Sequence, residues 1–279
     1  MKHYWVCGLL ILANCAALQQ FMDDLANVDV TQSALESTND AADSASTAET
    51  GANPAEAGSL PHALSAACVT KTTDATDGNT VTFTLSKCAG HGGRSTDGTR
   101  TVTTTKIDDT HRVHHIVSHF VRTLPNGDTT KVDTDVTVTT VGKRSDRMVT
   151  RTIEINQDHR VRTKKNGKHD LDIELATDKA HPIVTVDTFG ADNSLNQRLI
   201  NGTATVTHNL LGTSHTFAFS NVSQASDCCY PTGGALGQSI TSADGTVSTM
   251  TYTFSSTCGT VVTQSAKGLK GSVEFEGCP

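Results

Sequence analysis

Aromatic residues are scarce in this chain: one Trp, three Tyr and eight Phe among 279 residues. A membrane-spanning β-barrel needs two aromatic girdles, and so few rings cannot supply them. Long apolar runs are missing too. Past the N-terminus none approaches the roughly 18 residues that a transmembrane helix requires. Between Lys2 and Lys71 there is no Lys or Arg, while Asp23, Asp24, Asp29, Glu36, Asp40, Asp43, Glu49 and Glu56 all fall there. Those eight acids against Lys2 account for the whole net charge of −7, and the chain from Ser59 onward is balanced. No dense basic stripe remains, so nucleic acid is not an expected partner. Catalytic signatures are absent as well. The chain has no G-x-S-x-G elbow, H-E-x-x-H, phosphate-binding loop or dinucleotide fingerprint, and no cofactor is expected. Ser, His and Asp are plentiful, which keeps a hydrolase with a dispersed site open as an alternative.

Threonine is abundant instead, at about 45 residues, far above ordinary usage. Being β-branched and polar, it suits the solvated face of a strand. From Cys68 onward apolar residues alternate with polar ones at period two. Val81, Phe83 and Leu85 do so in one run and Leu171, Ile173 and Leu175 in another, and VDTDVTVTTV, TATVTHNL, SHTFAF, STMTYTF and SVEF repeat the pattern. Turn dipeptides separate the runs: Asp77-Gly78, Asp97-Gly98, Asn126-Gly127, Asn166-Gly167 and Asp244-Gly245. The expectation is an all-β body over 59–279, an antiparallel hairpin meander forming a large curved sheet or sandwich. An internal echo relates 77–90 to 244–259. Both read Asp-Gly, an alternating strand, then Cys near Gly. Two similar edge modules around a long central sheet are the simplest explanation.

The N-terminus reads as an export signal over 1–14, with Lys2 ahead of a short apolar stretch from Tyr4 to Ala13. Leu12-Ala13-Asn14-Cys15 resembles the lipobox of bacterial lipoproteins and departs from it at Asn14. The resemblance implies acylation of Cys15 and a membrane anchor. Cleavage near Ala17, giving a freely secreted protein, is the alternative. Residues 15–58 are expected to be an acidic, low-complexity tether. Leu18, Phe21, Met22, Leu25 and Val28 within it recur at helical spacing.

Six cysteines follow: Cys68, Cys88, Cys228, Cys229, Cys258 and Cys278. An even number in an exported chain points to disulfides, and zinc is disfavoured because no C-x2-C pair exists. Cys68 and Cys88 flank Asp77-Gly78 almost symmetrically, so a hairpin there sets them nearly opposite. The echo then pairs Cys258 with Cys228 or Cys229. Neighbours in an extended segment point to opposite faces, so the other takes Cys278. Which goes where stays open, with Cys228–Cys258 and Cys229–Cys278 preferred.

Two clusters invite a chemical reading. His111, His114, His115 and His119 lie within HRVHHIVSH. On a strand, residues four apart are separated by roughly 13 Å, too far for His111, His115 and His119 to share one ion unaided. Metal binding there would need Asp133 or Asp135 from a neighbouring strand, and a solvent-facing polar stripe is the simpler reading. Arg160, Arg162, Lys164, Lys165, Lys168 and His169 surround Asn166-Gly167, where an anionic envelope polymer could bind. Lys-rich strands also protect sheet edges, and Asp158, Asp170 and Asp172 sit alongside. Asn201-Gly-Thr203 and Asn221-Val-Ser223 are formal glycosylation sequons, without meaning in a bacterial protein.

The whole layout resembles a loose group of uncharacterised bacterial envelope lipoproteins with a lipobox, a polar tether and an all-β body. The matching blocks are FTLSKCAGHGG (83–93), CCYPTGG (228–234) and YTFSSTCG (252–259). The resemblance implies an extracytoplasmic, membrane-anchored protein, periplasmic or at the cell surface, and no activity. A non-enzymatic structural or binding module is therefore expected. A carrier holding a hydrophobic ligand or lipid on a curved sheet is the other alternative.

Overall fold

The computed structural model describes residues 68–76, 79–89, 93–225, 228, 230–258, 260–268 and 270–274. Period-two alternation does produce strands: β8 (Ile183–Phe189) reads IVTVDTF and is buried at every second residue. Among the described residues fourteen strands form one antiparallel sheet, as the alternation predicts. They are β1 (Val69–Thr73), β2 (Thr80–Ala89), β3 (Ser95–Lys106), β4 (His111–Thr123), β5 (Thr129–Lys143), β6 (Met148–Thr163), β7 (His169–Thr177), β8, β9 (Leu195–His208), β10 (Thr213–Ala225), β11 (Gly233–Thr241), β12 (Val247–Phe254), β13 (Thr260–Ser265) and β14 (Lys270–Glu274). Neighbours in sequence are neighbours in the sheet, with one exception. β7 and β8 share a single track: β7 pairs with the end of β6, and β8 with its start. β9 pairs with both in the same way. The five residues between them, 178–182, leave the track as a loop in which Asp178 accepts the backbone N–H of Ala180.

Among the described residues no α-helix covers the sheet, yet Val138, Ile153, Ile183, Ile200, Val206, Phe217 and Leu236 are fully buried. One apolar cluster runs from Phe83 on β2 to Val261 on β13. A flat single layer cannot exclude water from its own face, so the sheet curls around that cluster and packs its inner face against itself. The outer face is wet and Thr-rich. Thr80 and Thr82 there bond the hydroxyls of Thr103 and Thr101 across the ladder. Strands β2, β4, β6, β9, β11 and β13 all run one way. The end where they finish is called the upper rim, and the other end the lower rim.

Asn126-Gly127, Asn166-Gly167 and Asp244-Gly245 make tight turns at the upper rim, each Gly with a positive φ. Asp97-Gly98 does not, contrary to its reading as a turn: it lies inside β3. Its glycine answers a bulge on β2 instead. Leu85 pairs with Gly98 and Cys88 with Thr96, so Ser86 and Lys87 together oppose Asp97. Lys87 takes φ 50° and donates its N–H to Asp97 at 2.8 Å. The same device recurs where Ser220 and Asn221 oppose Asn201 beside Gly202. Asn221 takes φ 48° and donates its N–H to Asn201 at 2.8 Å. The structural counterpart of the β2 bulge therefore lies on β10, while β12, its sequence echo, runs straight.

That bulge decides a disulfide. β1 pairs Val69 with Leu85, so a regular ladder would carry Cys68 toward Ser86. The extra residues bring Cys88 into position, and Cys68–Cys88 is bonded with Cα atoms 5.2 Å apart. Cys228–Cys258 joins two loops at the lower rim, Cα atoms 5.8 Å apart. Cys229 and Cys278 lie outside the described residues, as do the export signal, Cys15, the tether and Asp77-Gly78.

Candidate functional site: charges on two faces of one sheet

Strand alternation divides the histidine cluster. His111, His115 and His119 point outward from β4, and His114 points inward, fully buried, with Nδ1 at 3.0 Å from the Thr104 hydroxyl. Each outward histidine meets its own carboxylate. His115 Nε2 sits 3.1 Å from Asp135, and His119 Nδ1 2.8 Å from Asp133. His111 Nδ1 is 3.6 Å from Asp108. These are the aspartates a shared site would have needed, but they hold the histidines apart along the strand. Among the described residues no group of three His, Cys, Asp or Glu converges as a metal cage would. Burial works to raise the Asp133 carboxyl, and hydrogen bonds from Lys131 and His119 outweigh it, leaving the group below the ordinary carboxylate range.

The basic hairpin is largely committed internally. Arg160 faces the core, 5% exposed, in a two-pronged bond to Asp158 at 2.9 and 3.0 Å. Arg162 bonds Asp170 at 3.0 Å, and Lys164 reaches the same carboxylate at 3.0 Å. Asp128, at the tip of the neighbouring hairpin, accepts the Lys165 backbone N–H and locks the two turns together. Of the residues read as an anion-binding group, Lys164, Lys165, Lys168 and His169 are exposed at the turn.

The inner face holds charges that sequence reasoning passed over. Near the lower rim Arg151, Asp187 and Arg198, from β6, β8 and β9, are 0%, 1% and 3% exposed. Asp187 takes Arg198 Nε at 2.7 Å and Arg198 Nη2 at 3.0 Å, and Arg151 Nη1 at 2.5 Å. Burial pushes the Asp187 carboxyl up, and the two guanidiniums overcome it, so the group lies below its ordinary value. Register explains the meeting: Asp187 pairs with Val149 on one side and directly with Arg198 on the other. Arg100 also turns inward, with Nε on the Ser118 hydroxyl at 3.1 Å and its guanidinium 5.2 Å above the Phe120 ring.

Nearer the upper rim, a polar relay crosses three inner strands. The Tyr252 hydroxyl donates to Gln238 Oε1 at 2.7 Å, which leaves the Gln238 amide nitrogen to donate to His215 Nδ1 at 3.0 Å. His215 must then carry its proton on Nε2, which donates to the Thr213 hydroxyl at 3.1 Å. Burial, helped by the neighbouring His208, pushes the His215 pKa down to about 4. His208 is lowered too, again chiefly by burial.

The signal that could have found these groups is parity. Arg151 stands in phase with Val149 and Ile153, and Arg198 with Ile200. A charge in an apolar slot must find a partner inside. Chemically the set is closed. Both oxygens of Asp158 and of Asp187 accept from guanidinium donors, and His215 spends both nitrogens on the relay. Comparison with protein-family models, with curated proteins and with solved structures yields no match.

Proposed function

We propose that this chain is an exported, lipid-anchored, non-enzymatic protein of a bacterial cell envelope. Cys15 carries the acyl group, and the β-sheet body acts as a structural or binding module. The observation that carries the reading is the state of the buried carboxylates. Asp158 and Asp187 face arginines, and the His–Asp pairs sit on the wet outer face, so the buried Asp–His pair beside a serine that a hydrolase needs is not what these residues build. The filled inner face speaks against a carrier, which would present aliphatic side chains along an open concavity. The two disulfides are compatible with a compartment outside the cytoplasm. Mass spectrometry of the mature N-terminus, with palmitate labelling of the parent and of Cys15→Ala, tests the anchor. A diacylated N-terminal Cys15, lost in Cys15→Ala, is expected. A mature chain beginning at Leu18, or label that survives the substitution, overturns it.

A further inference from the structure

We propose that the upper rim is a membrane-contacting surface for anionic phospholipid, in which Leu210, Leu211 and Val247 enter the bilayer interface between two groups of lysines. The proposal rests on the membrane-anchored reading only for what brings the rim to a bilayer.

The apolar residues are exposed where a globular sheet would normally place polar turns. Leu210 and Leu211, in the β9–β10 turn, are 49% and 60% exposed, and Val247, beside the β11–β12 turn, is 60% exposed. These two turns touch. A Cβ placed on Gly212 would lie 3.4 Å from the Ala243 methyl. The turn that carries Leu210 and Leu211 thus abuts the one that carries Ala243 and leads into Val247, and the four apolar residues share one stretch of the rim. Single exposed leucines are unremarkable, but an apolar crest flanked by cations is the composition of an interfacial membrane site.

The order of strands sets what flanks the crest. Along the rim the β6–β7 turn comes before it, with Lys164, Lys165 and Lys168, and the β13–β14 turn after it, with Lys267 and Lys270. Asp128 and Asp170 on this rim face Lys164. Asp244, the acid within the crest, accepts the backbone N–H of Thr246 at 2.9 Å. The lower rim also exposes Ile107 and Met148, but there Asp108, Asp109 and Asp146 are interleaved with Lys106, Lys143, Arg144 and Arg147, so acids and bases offset one another where the upper-rim turns 164–168 and 266–268 carry lysines and no acid. The chain also enters the sheet at the upper rim, through Cys68.

Protein without the export signal, beginning at residue 15 and carrying Cys15→Ser so that it cannot be acylated there, is mixed with vesicles of phosphatidylcholine alone or of equal parts phosphatidylcholine and phosphatidylglycerol, and sedimented. Salt-sensitive preference for the anionic vesicles is expected, and Leu210→Asp with Leu211→Asp should lower the partition at least about tenfold. Reversing Lys164, Lys165 and Lys168 to Glu should abolish the preference. A second readout needs no disruptive change. Leu211→Trp should be quenched by brominated phospholipid and Ile107→Trp should not, the chain from residue 15 onward having no native Trp. Equal partition of parent and rim variants, no partition of the parent, or quenching at Ile107→Trp in place of Leu211→Trp each overturns the proposal. A missing acyl group on Cys15 would overturn the anchor and leave this measurement standing.

Discussion

The two faces of the sheet use aspartate in opposite ways. Inside, Asp187 and Asp158 are bound by arginines, which stay charged at every accessible pH and present a planar fork to the carboxylate. Outside, Asp133, Asp135 and Asp172 are met by His119, His115 and His159, which carry charge only when protonated, and the flexible Lys131 also reaches Asp133. The difference follows from the medium. Burying a carboxylate costs several kcal/mol unless permanent, well-aligned donors replace its water. On the outer face water already solvates it, and an ion pair there contributes about 0 to 1 kcal/mol. The inner pairs therefore fix which strands meet, and the outer pairs decorate a ladder the backbone already holds.

Breaking the inner triad should have the largest effect. Asp187→Asn leaves Arg151 and Arg198 buried without a counter-charge, and a loss of about 3 to 5 kcal/mol in denaturant unfolding is expected. Replacing all three by Arg151→Met, Asp187→Leu and Arg198→Met should recover most of that loss, since apolar side chains of similar volume need no partners. A triple variant as unstable as the single one would mean that the charges do more than satisfy one another.

Acid should act on the inner face through His215, because its protonation removes the acceptor for Gln238 and breaks the relay to Tyr252. Its folded pKa, about 4, lies below the ordinary 6.5, so the unfolded chain binds more protons between those values. Stability from this group is complete above pH 6.5 and is lost as pH falls toward 4, by about 3 kcal/mol in all. His215→Asn should flatten the pH dependence of unfolding across that window while lowering the plateau. An unchanged slope would place the acid sensitivity elsewhere.

The outer pairs should respond weakly. Asp133→Asn is expected to cost about 0.5 kcal/mol at neutral pH, and less as salt is added. Its carboxyl is held below the ordinary range, so the contribution is present above that range and vanishes as the group protonates in acid. Smallest of all, His115→Asn and His119→Asn together should shift the unfolding midpoint within the error of surface changes, about 0.5 kcal/mol. A loss of several kcal/mol from either outer change would erase the contrast between the faces.

Much of this architecture is legible in the residues. Alternation such as IVTVDTF states that a segment is a strand with one wet face, and Asn166-Gly167 states that the chain can turn there. The dipeptide signal misleads at Asp97-Gly98, because glycine beside an acid advertises only a positive φ. A bulge uses that freedom as readily as a hairpin. A Cβ on Gly98 would stand 2.0 Å from the His119 carbonyl oxygen, a close approach across the ladder that no local pattern announces.

The sequence by itself determined the strands, their meander order and the division of His114 from His115 onto opposite faces, because these depend on near neighbours and on a period of two. Tertiary structure alone decided how the sheet covers its apolar face, that β7 and β8 share one track, and that Asp187 meets Arg198 eleven residues onward and Arg151 thirty-six residues back. Those meetings depend on the register of three strands and on the curl that removes water from between them. Once the solvent around a carboxylate is gone, it needs permanent, well-aligned donors, and arginine supplies them.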